Sequence, residues 1–123
     1  MPVWEFERTD DAMIARGRFD PDNTGPPGCV HGGWIAHAFD EVLGRTTVAA
    51  GYPAMTAHLH VRYRRPTPIG AAIEFTVPWP TVRGRRVQVR ASLRADGVRT
   101  ADADALFVHF NDRNPPDPPA PPA

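Results

Sequence analysis

The chain has no lysine, and all 14 of its basic side chains are arginine. They are matched by 14 Asp and Glu, so the formal net charge is zero. Binding nucleic acid through its phosphates needs a basic surplus, and none exists here. There is one cysteine, Cys29, which excludes an intramolecular disulfide framework and a thiolate metal cluster. No apolar run nears the ~18 residues of a membrane span. The first residues lack the charged-then-apolar pattern of an export signal. These absences set the expectation of a soluble cytoplasmic protein with no nucleic-acid and no membrane partner. The arginine bias, with abundant Ala and Pro, fits GC-rich coding, and Arg also suits bidentate phosphate contacts.

The chain's 123 residues are one domain's worth. Residues 1–12 mix aromatic and charged side chains and read as an arm or a short edge element. Met13 to Phe19 reads as a strand. Asp20 to Gly28 is loop, dense in Pro, Gly, Asn and Asp. A helix follows over about Gly32 to Ala50. On a helical wheel Trp34, Ile35, Ala38, Phe39, Val42, Leu43, Thr46, Ala49 and Ala50 make a core-facing half. Gly33, Ala36, Asp40, Gly44 and Thr47 make a narrower stripe of small residues around one carboxylate. Gly51 and Pro53 end the helix.

From Ala54 to Arg64 the apolar period becomes two, with Met55, Ala57, Leu59, Val61 and Tyr63 on one face. Further alternating strands run over Ala71 to Trp79, Val87 to Ala95 and Val98 to about Phe110. Val82 to Arg85 is a hairpin turn, and Asp96-Gly97 is a two-residue hairpin signal. One helix followed by a run of strands is an α+β pattern. The expected domain is 13–111, followed by a disordered Pro-rich tail at 112–123. A sheet this small leaves edges, which favours dimerisation.

Five sets of residues could carry chemistry. Asp40, a carboxylate inside an apolar helix, suits a general base or nucleophile at a cleft, or a salt bridge to one of the arginines. Glu41 points about 100° away and reads as surface or interface. His31-Gly32-Gly33 at the helix start has the parts of an oxyanion hole, free N–H groups that a substrate can approach, or is a plain loop-to-helix turn. Cys29 with His31 could be a nucleophile–base pair, or Cys29 is a small buried cysteine. His58 and His60 share a strand face and could ligate a metal, but no third ligand is evident. Arg62, Arg64 and Arg65, then Arg83, Arg85 and Arg86, are solvated clusters or a phosphate-binding rim.

Several of these features together resemble the hotdog-fold acyl-CoA thioesterases of the PaaI-like superfamily. They are Gly28-Cys29-Val30-His31-Gly32-Gly33 with Asp40 nine residues after the His, Gly44 four further on, and Met55-Thr56-Ala57 leading into Val61-Arg62-Tyr63-Arg64-Arg65-Pro66. Val82-Arg83-Gly84-Arg85 completes the set. The run Gly25-Pro26-Pro27-Gly28 is similar to the branch with the mammalian mitochondrial long-chain acyl-CoA thioesterases. The likeness spans about residues 20 to 110.

The resemblance implies a five- or six-stranded antiparallel sheet wrapped around the central helix, in dimers often paired into tetramers, with sites at the dimer interface. It implies hydrolysis of an acyl-CoA to free acid and CoA, with no cofactor or metal and CoA entering only as part of the substrate. By motif position Asp40 is the catalytic carboxylate, the Gly32 N–H polarises the thioester carbonyl and His31 assists. The resemblance also implies that Thr56 holds water and comes from the opposite subunit, and the strand pattern is compatible with this: if the apolar odd face covers the chain's own helix, Thr56 points away from it. The expected substrate contacts are Asn23, Gly33, Arg64, Arg83, Arg85 and Arg86, with Trp34, Phe39 and Tyr63 as candidates to shape an acyl pocket. One departure stands out. The family's Asn, six residues before the His, is Gly25 here, and Asn23 could reach in instead. A non-catalytic acyl-CoA sensor or scaffold is the alternative. A dehydratase on acyl-thioesters needs a differently arranged His–Asp pair.

Overall fold

The computed structural model of the chain describes residues 2–109. The tail expected at 112–123 and the last residues of the domain lie outside them. In chain order the elements are β1 (Glu5–Arg8), β2 (Ala12–Gly17), a 3-10 turn (Pro21–Asn23), α1 (Gly32–Ala49), β3 (Ala54–Tyr63), β4 (Ile73–Pro78), β5 (Thr81–Arg83), β6 (Arg86–Ala95) and β7 (Val98–His109). All pairings are antiparallel, in the order β1-β2-β4-β6-β7-β3, with β5 beside the first half of β6. The sheet wraps the one long helix, as expected of a hotdog fold.

The helix lies on the sheet because one of its faces must be buried. Phe39, Val42 and Leu43 are fully buried against Phe75 and Val77 of β4, Val87 and Leu93 of β6 and Phe107 of β7. Each such side chain contributes roughly 1.5–3 kcal/mol of burial. On β7 the inward positions are Ala101, Ala103 and Ala105, all buried. Three small side chains at period two make a shallow lane in the middle of the sheet, where bulkier ones would hold the helix away. The β6–β7 turn at Asp96-Gly97 has positive φ at both residues, 48° and 82°, the conformation that matches strand twist in a two-residue hairpin.

The sheet has seven strands, more than the expected five or six. The additions are the shortest elements. Glu5–Arg8 pairs with β2 as an edge strand, anchored by Trp4, whose ring packs edge-on to Phe19 (5.3 Å) and Phe75 (5.1 Å). The prolines 78 and 80 end β4, but the chain re-enters the sheet as β5 against β6. Thr47, expected on the open stripe of the helix, is buried, with its hydroxyl on the Gly44 carbonyl at 2.8 Å.

On the outer face of the sheet, β7 alternates into Asp102. That carboxylate is 2% exposed because three arginines close over it. Arg62 donates to Oδ1 at 2.6 Å, Arg64 donates to Oδ2, and Arg99 reaches Oδ2 at 3.1 Å. The hydrogen bonds, from Arg64 first and then Arg62, hold the Asp102 carboxyl down at about 2, below its ordinary 3.8. A depressed carboxylate stabilises the fold fully above its unfolded pKa and loses that contribution as pH falls through the folded one. Asp102→Asn should therefore lower the unfolding free energy by about 2 kcal/mol at neutral pH. Denaturant melts of both proteins should show the gap constant above pH about 3.8 and closing toward pH about 2.

Candidate active site

The loop before the helix is folded onto itself to aim His31. Asn23 is 2% exposed; its Oδ1 accepts the Asp20 N–H at 2.8 Å and its carbonyl accepts the His31 N–H at 2.7 Å. It therefore does not reach a substrate, contrary to expectation; it positions His31 through the main chain. Gly25 explains why no side chain stands at the family's Asn position. A Cβ there would lie 2.8 Å from the His31 Cα, too close for any residue but glycine.

The start of α1 is clamped on both sides of one peptide. His31 Nδ1 accepts the Gly33 N–H at 2.9 Å, and the Tyr63 hydroxyl donates to the Gly32 carbonyl at 2.7 Å. Desolvation pushes the Tyr63 phenol up, so it stays a donor at neutral pH. His31 must present Nδ1 without its proton, which places the ring proton on Nε2. The Gly33 N–H is thus spent on the cap and is not free for a ligand. The Gly32 N–H is the first of the helix and has no intrahelical acceptor. A hollow of about 420 Å³ lies beside it, lined by Cys29, Gly32, Tyr63, Arg64 and Arg65 among others. Cys29 is half-buried there, but its expected partner His31 has Nδ1 committed to Gly33.

Asp40 sits two turns further along α1, half-buried, and Thr56 Oγ1 donates to its Oδ1 at 2.6 Å. This corrects the expectation that Thr56 faces away from its own helix. Thr56 pairs with Phe107 and His58 pairs with Leu106, so Ala57 is an extra residue, a β-bulge. Beyond the bulge Leu59, Val61 and Tyr63 face the helix as expected. Before it the parity is inverted: Thr56 shares the helix side with Phe107, and Met55 is turned out, 55% exposed. One inserted residue therefore delivers a hydroxyl to the carboxylate of the same chain.

Beside this pair runs an open groove of about 810 Å³, lined by Asp40, Gly44, Val48, Ala49, Thr56 and Phe107 among others. Glu41, read as surface, also lines it and lies 3.8 Å from Arg45. Phe39 is core, fully buried, and does not shape a pocket.

The arginines do not form one rim. Arg64 is committed to Asp102 near the helix N-terminus. Arg83 pairs with Arg86 across the β5–β6 hairpin, one step from the inward Val82–Val87 pair, so both lie on the outer face of the sheet, away from Asp40. Arg85 donates to the His109 carbonyl at 3.3 Å. His58 and His60 also lie on the outer face, and among the described residues no three His, Cys, Asp or Glu could hold a metal ion. Among the described residues no helix is long and apolar enough to cross a membrane.

Tyr63 was legible as an apolar strand residue and as a candidate to shape an acyl pocket, but not for its hydroxyl, which is half of the clamp. Tyr63→Phe should cost about 0.5–1 kcal/mol in chemical denaturation. Combined with His31→Ala it should show a non-additive term, because both act on one peptide plane.

Residues 27–101 match the thioesterase superfamily. The chain is 30% identical over 105 residues to the acyl-coenzyme A thioesterase THEM4 of Xenopus laevis, covering 84% of this chain and 47% of that protein. The chain thus spans about half the length, or less, of the curated relatives it matches. A solved thioesterase superfamily protein from Shewanella loihica superposes with a TM-score of 0.75 at 27% identity, covering 88% of this chain and 91% of that one. Another solved thioesterase superfamily protein gives 0.79 at 34% identity, covering 87% of this chain and 55% of that one. With a family match over more than half its length and the helix-in-sheet architecture to accompany it, the chain belongs to the thioesterase superfamily.

Proposed function

We propose that the protein hydrolyses acyl-CoA thioesters to a carboxylic acid and CoA. The observation that carries this is the Thr56–Asp40 hydrogen bond at the wall of an open groove. Thr56 occupies Oδ1 and orients the carboxylate, which leaves Oδ2 to accept a proton from a water. That water attacks the thioester carbonyl carbon, and Asp40 takes its proton. The carbonyl electron pair moves onto oxygen, where a helix N-terminal N–H, that of Gly32, stabilises the developing charge. The oxyanion collapses, the C–S bond breaks, and the CoA sulfur takes the proton back from Asp40. Water is consumed, and acid and thiol are released. The names of the relatives support acyl-CoA as the substrate class.

One chain cannot supply both halves of this site. Gly32 and Asp40 are eight residues apart on one helix, or ~12 Å along its axis. The water and the carbonyl oxygen must lie within ~3 Å of the same carbon. The carboxylate of one copy therefore works with the helix N-terminus of another. β3 offers the surface for such a pairing: it is ten residues long, it ends the sheet, and the side chains from Met55 to His58 are exposed. A two-fold axis across that edge pairs β3 antiparallel with its copy, and the homodimer could pair again into a tetramer. Arg65, beside Gly32, is placed to meet phosphates of a CoA that lies over that helix N-terminus.

Asp40→Asn should reduce thioesterase kcat by at least ~10³-fold with the circular dichroism unchanged. Thr56→Val, which keeps the shape and removes the donor, should reduce it by ~10–100-fold. Hydrolysis by Asp40→Asn at the wild-type rate would sink the reading.

A further inference from the structure

The groove that starts at the Asp40–Thr56 pair runs along α1 to Val48 and Ala49. Asp40 and Thr56 stand at its near end with Phe107, the cross-strand partner of Thr56; Glu41 and Arg45 line its side, and Val48, Ala49 and Ala54 lie further along, with Gly44 between. The pantetheine arm of CoA carries two amides, and buried amides need partners. The far end is lined by Val48, Ala49 and Ala54, an apolar wall that suits a hydrocarbon chain, which needs no partners. The arginines Arg83 and Arg86, which could have held phosphates at that end, lie on the other face of the sheet.

The floor of the groove is Gly44. A glycine inside a helix is destabilising relative to alanine. A Cβ at Gly44 would meet only Phe107 Cε2, at 3.7 Å, an ordinary contact. Packing within the chain therefore does not require glycine here. What a side chain would take is the space of the groove itself.

We propose that this groove holds the acyl chain and makes the protein selective for unbranched aliphatic acyl groups of medium length, with Gly44 and Val48 as the residues that set it. This rests on the hydrolytic reading above. From Asp40 to Ala49 the helix advances ~13 Å, the extended length of roughly ten methylenes. Chains up to that length bury each added methylene, and longer ones leave the groove past Val48, which is 60% exposed.

The test is kcat/KM for acetyl-, decanoyl- and palmitoyl-CoA in the wild type, Gly44→Val and Val48→Asp, with molar mass measured by light scattering. Val48 is exposed, so its substitution does not threaten the fold. The wild type should favour decanoyl- over acetyl-CoA, with no further gain for palmitoyl-CoA. Each variant should lose roughly tenfold or more on decanoyl-CoA, equivalent to about two methylenes of burial, and no more than a few-fold on acetyl-CoA. An equal loss on all three esters, or no loss, would overturn the proposal. So would a changed molar mass without chain-length selectivity, which would make the groove a contact between copies. If the wild type hydrolyses none of the esters, the hydrolytic reading fails, and calorimetry in the Asp40→Asn background decides the groove separately. Decanoyl-CoA must then bind more tightly than acetyl-CoA, and Gly44→Val must erase the difference.

Discussion

The contact on which the rest depends is that of α1 with the concave face of the sheet. The helix has one apolar half, and the alanines at 101, 103 and 105 let that half lie close to the strands. Once it is seated, the angular position of every other helix residue is determined. Asp40 falls at the rim, half-buried, where it can be reached from outside and still be held by a neighbouring strand. A carboxylate one position earlier would point into the core, in the place of Phe39. One position later it would stand where Glu41 faces Arg45.

The helix seats the carboxylate, and a local fault in β3 equips it. A regular strand would turn Thr56 outward and Met55 inward. The bulge at Ala57 reverses both. Bulges re-aim side chains at little cost in pairing, because the ladder resumes on either side. Here it resumes from His58 to Tyr63, and that far segment supplies the Tyr63 hydroxyl to the helix N-terminus. One strand therefore serves the N-terminus and the middle of the helix with opposite parities.

Much of this was legible in the residues. The helix boundaries follow from the wheel and from Gly51, and four of the strands from period-two runs, because burial on one face writes itself directly into the sequence. The bulge was not legible, since Met55 and Ala57 keep the apolar alternation going although both are exposed. Composition cannot distinguish a side chain that is apolar because it is buried from one that is apolar at an open sheet edge. β5 was missed for a related reason, and β1 was legible only as an arm or a short edge element: three or four residues are too few to show a period. Asp102 reads as an outward residue, and it is outward. Its burial comes from Arg62, Arg64 and Arg99, which long-range pairing brings together. Asn23 illustrates the opposite error: its type suggested a ligand contact, but a short polar side chain is equally suited to stitching a turn.

The two edges of the sheet differ in a way that bears on assembly. β1 presents Glu5, Glu7 and Arg8 along four residues, and Arg16 of β2 ties Glu7 to Glu74. Short, charged edges resist pairing with another strand. β3 is more than twice as long and, before the bulge gives way to its histidines, carries Met55 and Ala57 outward without a charge. The edge that invites a second copy is also the one that holds Thr56 and Tyr63, the residues that equip Asp40 and the helix N-terminus. A copy added there in antiparallel register sets the Tyr63 end of one strand against the Thr56 end of the other. In such a pairing the ~12 Å between the N-terminus and Asp40 of a single helix, an obstacle within one chain, would become the offset that brings the N-terminus of one helix to the Asp40 of the other.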